Sequence, residues 1–301
     1  MRNFISITDF SSDELYFILN RADLLCKYWH ANNMPKSLLN KKIALWFWGN
    51  GFRNRVAFEL GARAMGADIS FIPGDLGIQE PVEDMGHYLN NWFNMIVVRS
   101  KSHDDLLSLS KDLNIPLINA RTNFNHPCEI IGDLQFIRKH RGSIENLNVV
   151  FVGEVTNLCM SWFEAAKRLP ITVTQVAPNG YELDKNVLIS MNNNSIGKIS
   201  TSNNIDESIN ANVDLIYTDC WPKSNDKEKT KDLFLPYQIT EIILNKMNKT
   251  GIFLPCPPVT RGEEVSIESL KSKQCMDYAA KEYLLHSQNA IMEYLINEND
   301  A

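Results

Sequence analysis

The sequence predicts an α/β protein made of two doubly wound parallel-sheet domains joined by linking helices. Short, unalternating apolar runs recur along it, as strands buried on both faces require. Most runs break at Gly, Pro or Asn and give way to an amphipathic helical pattern, the alternation that builds parallel sheets. At 301 residues the chain also exceeds a typical single domain.

Ser11 followed by Glu14 has capping-box spacing, and the apolar Leu15, Phe17, Ile18, Leu19, Ala22 and Leu25 recur at helical intervals, so the chain opens with a helix. Ile43-Ala44-Leu45-Trp46-Phe47-Trp48 reads as a strand, Gly49-Asn50-Gly51 as a turn, and the segment through Glu59 as a helix. The pattern repeats as strand 69–72, a Gly/Pro-rich loop, helix 82–92, strand 95–98, helix 106–113 and strand 116–118. A linking helix covers 130–140, after which strand 149–153, helix 162–169 and strand 173–176 begin a second sheet. The Asn- and Ser-rich stretch 192–212 reads as a weakly structured connection, followed by strand 213–217, helix 236–247, strand 252–254 and a long amphipathic helix from 275. The predicted domains are 1–133, with helix 275–298 packing back on it, and 145–272. No internal repeat is visible. Trp46, Trp48 and Trp92 read as core residues.

The formal charge of -6, with no basic stripe beyond Arg138-Lys139-His140-Arg141, excludes the footprint of a nucleic-acid binder. No apolar run approaches the roughly 20 residues that span a bilayer, so a cytoplasmic protein is expected. Six cysteines (Cys26, Cys128, Cys159, Cys220, Cys256 and Cys275) are scattered without a CxxC pair, which predicts reduced thiols and neither metal nor cofactor. His87, His103, His140 and His286 read as surface or packing residues.

Cationic residues cluster where such folds place their ligands, at strand ends and helix starts. Arg53 and Arg55 fall in the first turn of the helix after Gly51, where unpaired N–H groups and a guanidinium fork favour phosphate or carboxylate. Arg99 ends a strand, His126 precedes the linking helix, and Arg261 follows the late strand at 252–254, so these three and Arg53 are expected to face one crevice between the domains.

The spacing of these residues resembles the aspartate/ornithine carbamoyltransferase family. Phe47-Trp48-Gly49-Asn50-Gly51-Phe52-Arg53-Asn54-Arg55-Val56-Ala57-Phe58-Glu59 is in register with its Phe-x-x-x-Ser-Thr-Arg-Thr-Arg-x-Ser-Phe-Glu phosphate motif. His126-Pro127-Cys128-Glu129 is similar to His-Pro-x-Gln, and Pro255-Cys256-Pro257-Pro258 with Arg261-Gly262-Glu263-Glu264 to the ornithine branch's His-Cys-Leu-Pro and Arg-Gly-Glu-Glu. The opening Ser6-Ile7-Thr8-Asp9-Phe10 is also similar, so the likeness runs nearly end to end.

The resemblance implies transfer of a carbamoyl group from carbamoyl phosphate to an amine of an ornithine-like amino acid, in a homotrimer of small-molecule sites. It places Gly51, Phe52, Arg53, Asn54, Arg99, His126, Glu129 and Arg261 on carbamoyl phosphate, with Arg53, His126 and Arg261 catalytic. It places Asn157, Asp219, Lys223, Ser224 and Cys256 on the acceptor, with Asp219 meeting an α-amino group, and it implies a cis bond at Pro257-Pro258.

Four departures stand out. Gly51 and Phe52 replace a Ser-Thr pair, removing hydroxyl donors worth roughly 1.5–3 kcal/mol each to a charged ligand. Glu129 replaces glutamine and sets a carboxylate beside a dianion; Pro255 replaces histidine; and Lys223-Ser224 replaces a Ser-Met pair. The alternatives these departures raise are a non-catalytic binding or assembly subunit and an enzyme for another acyl phosphate.

Overall fold

The computed structural model describes residues 1–49, 51–78 and 80–300, so Asn50 of the expected turn and Gln79 of the following loop lie outside the described residues. Two compact units divide the chain, one formed by Met1–Phe136 with Lys281–Ala301 and the other by Ile137–Ala280.

The first unit opens with α1 (Ser12–His30), whose Ser11 side chain accepts from the Glu14 N–H while Glu14 accepts in return from the Ser11 N–H. Then come β1 (Lys42–Phe47), α2 (Phe52–Ala64), β2 (Asp68–Ile72), α3 (Val82–Trp92), β3 (Met95–Arg99), α4 (His103–Asp112), β4 (Leu117–Arg121) and α5 (Pro127–Arg141), whose last residues from Ile137 belong to the second unit. The four strands are parallel in the order β2-β1-β3-β4. Alternate residues of the central strands, Ala44, Trp46, Ile96 and Val98, bury against Leu89 and Leu106 on one face.

The second unit carries β5 (Asn148–Val152), α6 (Asn157–Arg168), β6 (Thr172–Val176), α7 (Lys185–Asn192), β7 (Lys198–Ser202), α8 (Ile205–Ser208), β8 (Leu215–Thr218), α9 (Lys227–Phe234), α10 (Glu241–Leu244) and β9 (Ile252–Pro255). Its five parallel strands run β7-β6-β5-β8-β9. Val150, Val176, Ile216 and Phe253 form part of its core. The last helix, α11 (Asp277–Asp300), returns to the first unit from Lys281 onward. There Leu284 lies against Gly132, where an added Cβ would come within 3.1 Å of its backbone, and Arg21 of α1 pairs with Glu293.

Three expectations are corrected. The stretch 192–212 is not a loose connection, because it holds β7 and α8. β7 carries mostly polar side chains and buries only Ile199, so apolar patterning cannot reveal it. The Asn192 side chain instead donates to the Ile199 carbonyl and accepts from the Ile199 N–H, pinning the strand. The helix expected over 236–247 contracts to α10, because Ile239 bridges to Val265 and the Thr240 side chain caps the helix start by accepting from the Ile243 N–H. Trp46 is core, but Trp48 is half-buried beneath Lys101 Nζ, and Trp92 is 60% exposed, stacked on Tyr88 at the end of α3.

Candidate functional site

In each sheet the chain leaves the first strand in one direction and later resumes on its other side. The crevice at the carboxyl ends of the two strands flanking that reversal is where open sheets bind ligands. In the first unit these strands are β1 and β3; in the second they are β5 and β8.

At the first switch point β1 ends opposite Arg99, with Phe47 in register with it, and the Trp48 N–H donates to the Arg99 carbonyl at 2.8 Å. Gly51, at φ 26°, begins α2. A Cβ there would lie 2.9 Å from Arg99 Cδ and Nε, so the Arg99 side chain crosses the space that any side chain at 51 needs. With glycine at 51, the Arg99 guanidinium lies against the N-terminus of α2 where a serine side chain would otherwise stand. Phe52, 52% exposed, sits with its ring 4.9 Å from Arg53 Cζ and supports that arginine as a cation–π platform. The Asn54 side chain is buried and faces inward, donating to the Ala120 carbonyl at 3.0 Å and accepting from Gln288 Nε2 at 2.5 Å. The Asn54 side chain is thus committed inward, and only its first-turn backbone N–H lacks a partner within the helix.

α5 begins beside this point, with Pro127 at its first position and His126 just before it. Asn125 anchors the loop by donating to the Ile5 carbonyl and accepting from Asn119 Nδ2. Glu129 Oε1 accepts from Lys281 Nζ at 2.6 Å, Asp133 Oδ1 accepts from the same ammonium at 3.2 Å, and His126 Nε2 lies 3.5 Å from Glu129 Oε2. Burial alone pushes the Glu129 carboxyl up, but Lys281 above all, with Arg53, holds it well below the usual carboxylate range. Burial pushes His126 down to about 3, with Arg99, Arg121 and Lys281 acting in the same direction against Glu129. The imidazole is therefore neutral, with one ring N–H to donate, and the carboxylate is ionised but matched by an ammonium. Sequence reading missed Lys281 and Arg121. Arg121 had a signal, because it ends β4 in register with Arg99.

The second unit assembles carboxylates instead. Asn157 opens α6, where the Thr156 side chain accepts from the Cys159 N–H, and Asp219 follows β8 with its Oδ1 accepting from the Cys220 N–H at 2.8 Å. Burial and the Asp219 charge both raise the Glu154 carboxyl. The Cys256 N–H donates to the Thr218 carbonyl, and the peptide between Pro257 and Pro258 is cis. Lys223 and Ser224 are exposed, and the Ser224 hydroxyl accepts from the Asp226 N–H. Arg261 is likewise exposed, in a loop held by Glu264, whose Oε1 accepts from the Thr260 N–H. The expected thirteen site residues thus divide, with Gly51, Phe52, Arg53, Asn54, Arg99, His126 and Glu129 in the first unit and Asn157, Asp219, Lys223, Ser224, Cys256 and Arg261 in the second.

Glu264 is 1% exposed, and burial, with Glu263 and Asp219 nearby, pushes its carboxyl up to about 7 despite the backbone N–H bonds that lower it. Such a group binds its proton more tightly folded than unfolded. It supports the fold fully below its ordinary 4.5 and loses that support as pH rises through about 7, a change of roughly 3 kcal/mol at 1.36 kcal/mol per unit. Glu264→Gln keeps the acceptor for Thr260 and removes the titration. The unfolding free energy of the variant relative to the wild type should rise between about pH 4.5 and 7 and then level off. A difference that stays flat across that window in denaturant titrations would contradict this account of the loop.

Comparison with known proteins matches residues 2–139 to a family described as aspartate/ornithine carbamoyltransferase, carbamoyl-P binding domain, and residues 145–295 to its Asp/Orn binding domain. An ornithine carbamoyltransferase of Acinetobacter baylyi is 32% identical over 99% of this chain and 98% of the relative. Solved ornithine carbamoyltransferases superpose closely. The Burkholderia thailandensis structure has TM-score 0.90 and 27% identity over 98% of this chain and 99% of its own. The Campylobacter jejuni anabolic enzyme has 0.89 and 28% over 99% and 100%.

Proposed function

Because the chain belongs to the aspartate/ornithine carbamoyltransferase family, we propose that it moves the carbamoyl group of carbamoyl phosphate to an amine of an ornithine-like amino acid. The carrying observation is the gathering of Arg53, Arg99 and neutral His126 at the N-terminus of α2 and the start of α5, with the Glu129 charge matched by Lys281. The amine lone pair attacks the carbamoyl carbon, the bond from that carbon to the bridging oxygen breaks, phosphate leaves and the nitrogen sheds a proton, giving a ureido product. Negative charge grows on the carbonyl oxygen and the departing phosphate, so fixed cationic donors favour the transition state over the ground state. The neutral His126 N–H polarises the carbonyl, and Arg53 and Arg99 hold the phosphate oxygens. In the second unit Asp219 receives the α-ammonium of the acceptor, with Asn157, Cys256 and the Lys223-Ser224 loop around it. Arg261, in the second unit, is assigned to the donor by the resemblance of its Arg-Gly-Glu-Glu segment alone. On this reading the protein works as a cytoplasmic homotrimer.

Incubation of the purified protein with carbamoyl phosphate and a panel of diamino acids, ornithine first, should yield a ureido product and one equivalent of phosphate. No product across the panel from a folded protein, with carbamoyl phosphate binding intact by calorimetry, would support the binding-subunit alternative and overturn this one.

A further inference from the structure

Away from both switch points, the start of α11 meets the end of α1. Each helix presents a pair one turn apart, Cys26 with His30 on α1 and Glu282 with His286 on α11, and one ligand atom from each residue lies within 4.8 Å of the other three. Neither spacing announces a metal site in sequence, because each supplies half a donor set and only packing brings the halves together. We propose that these four side chains bind one divalent transition-metal ion of the zinc class, which clasps the first helix to the last within the first unit.

The geometry is close to what such an ion needs. Four ligands at about 2.0–2.3 Å around a tetrahedral ion lie about 3.3–3.8 Å from one another. His30 Nε2 is 2.7 Å and His286 Nε2 is 3.4 Å from Glu282 Oε1, so inserting an ion asks for small side-chain shifts. The two residues that move most easily, His30 and Glu282, are also the exposed ones, which leaves an entry path. His286 supplies a fixed wall. It is 0% exposed, and its Nδ1 is buried with no hydrogen-bond partner, while the Trp29 and Tyr283 rings meet its imidazole edge-on at 6.3 and 6.1 Å.

The donor set selects the metal class. One sulfur, two imidazoles and one carboxylate suit zinc and its spectroscopic substitute cobalt(II), whereas magnesium and calcium prefer all-oxygen shells. A plain His30–Glu282 ion pair resting on a packed His286 is the competing account, and it predicts no thiolate–metal bond.

Cobalt(II) titration of the full chain, stripped with chelator, separates the two. One equivalent should produce the intense visible bands of a tetrahedral ion together with a near-ultraviolet thiolate charge-transfer band, and zinc should displace both. Cys26→Ser should abolish the charge-transfer band, and exposed His30→Ala should weaken zinc binding by more than about 10-fold. Cys256→Ser should leave the spectrum intact. Zinc should raise the melting temperature of the wild type in proportion to the logarithm of its free concentration, and of Cys26→Ser much less. Absence of a thiolate band at one equivalent, or a band that survives Cys26→Ser, would overturn the site. None of these readouts involves carbamoyl transfer, so they stand or fall apart from it.

Discussion

Replacing Lys281 with methionine is expected to cost the protein about 3–5 kcal/mol of stability at neutral pH, and adding Glu129→Gln to the same chain should return much of that loss. The reason is the placement of three charges. Glu129 and Asp133 are both buried, and one ammonium, Lys281 Nζ, reaches the first at 2.6 Å and the second at 3.2 Å. Methionine fills the same volume without the charge, so Glu129 must either stay ionised in a poorly solvating site or take up a proton well above its ordinary pKa. Glutamine at 129 removes that conflict and restores the residue that the His-Pro-x-Gln pattern carries. Denaturant unfolding of the single and double variants measures the coupling. If Lys281→Met alone unfolds at the wild-type midpoint, the pair does not neutralise the carboxylate, and the expected repulsion between Glu129 and a bound dianion returns. The single variant should also bind carbamoyl phosphate more weakly, through the same uncompensated charge.

That pair also marks the limit of what the sequence can disclose. Glu129 was legible as a departure from a motif, and its conflict with a phosphate ligand followed from charge alone. The resolution was illegible, because Lys281 lies 152 positions away on a helix whose own pattern says only that it is amphipathic. The same distinction runs through the fold. β1, β3, β5 and β8 were readable because strands buried on both faces must be continuously apolar. β7 was not, since its backbone pairs with β6 while its side chains remain polar. Trp92 misled because bulk suggests a core, although the period of α3 turns that face outward. Arg53, Arg99 and His126 were legible through strand-end position and motif spacing. The inward commitment of the Asn54 side chain needed Ala120 and Gln288, one 66 and the other 234 positions away. Local chemistry can be read from neighbours in sequence, whereas compensation belongs to neighbours in space.

Arg53→Ala should lower kcat/KM for carbamoyl transfer by about 10²–10³, equivalent to about 2.7–4 kcal/mol of transition-state stabilisation, with secondary structure unchanged. Arg53 stands in the first turn of α2, where the unpaired N–H groups and the helix dipole already favour an anion, and its guanidinium adds a full charge with a planar fork. Hydroxyls lost at positions 51 and 52 leave fewer neutral donors to share the developing charge, so more of the stabilisation falls on the arginines. Arg53→Lys keeps the charge but not the fork and should recover only part of the rate. Phe52→Ala removes the ring 4.9 Å from the guanidinium and should cost about 0.5–1 kcal/mol, because an exposed cation–π contact orients the arginine without supplying its charge. The ordering Arg53→Ala, then Arg53→Lys, then Phe52→Ala separates charge, geometry and support. Steady-state kinetics with saturating acceptor reads it, and an Arg53→Ala protein with wild-type kcat/KM would move the donor pocket away from the N-terminus of α2.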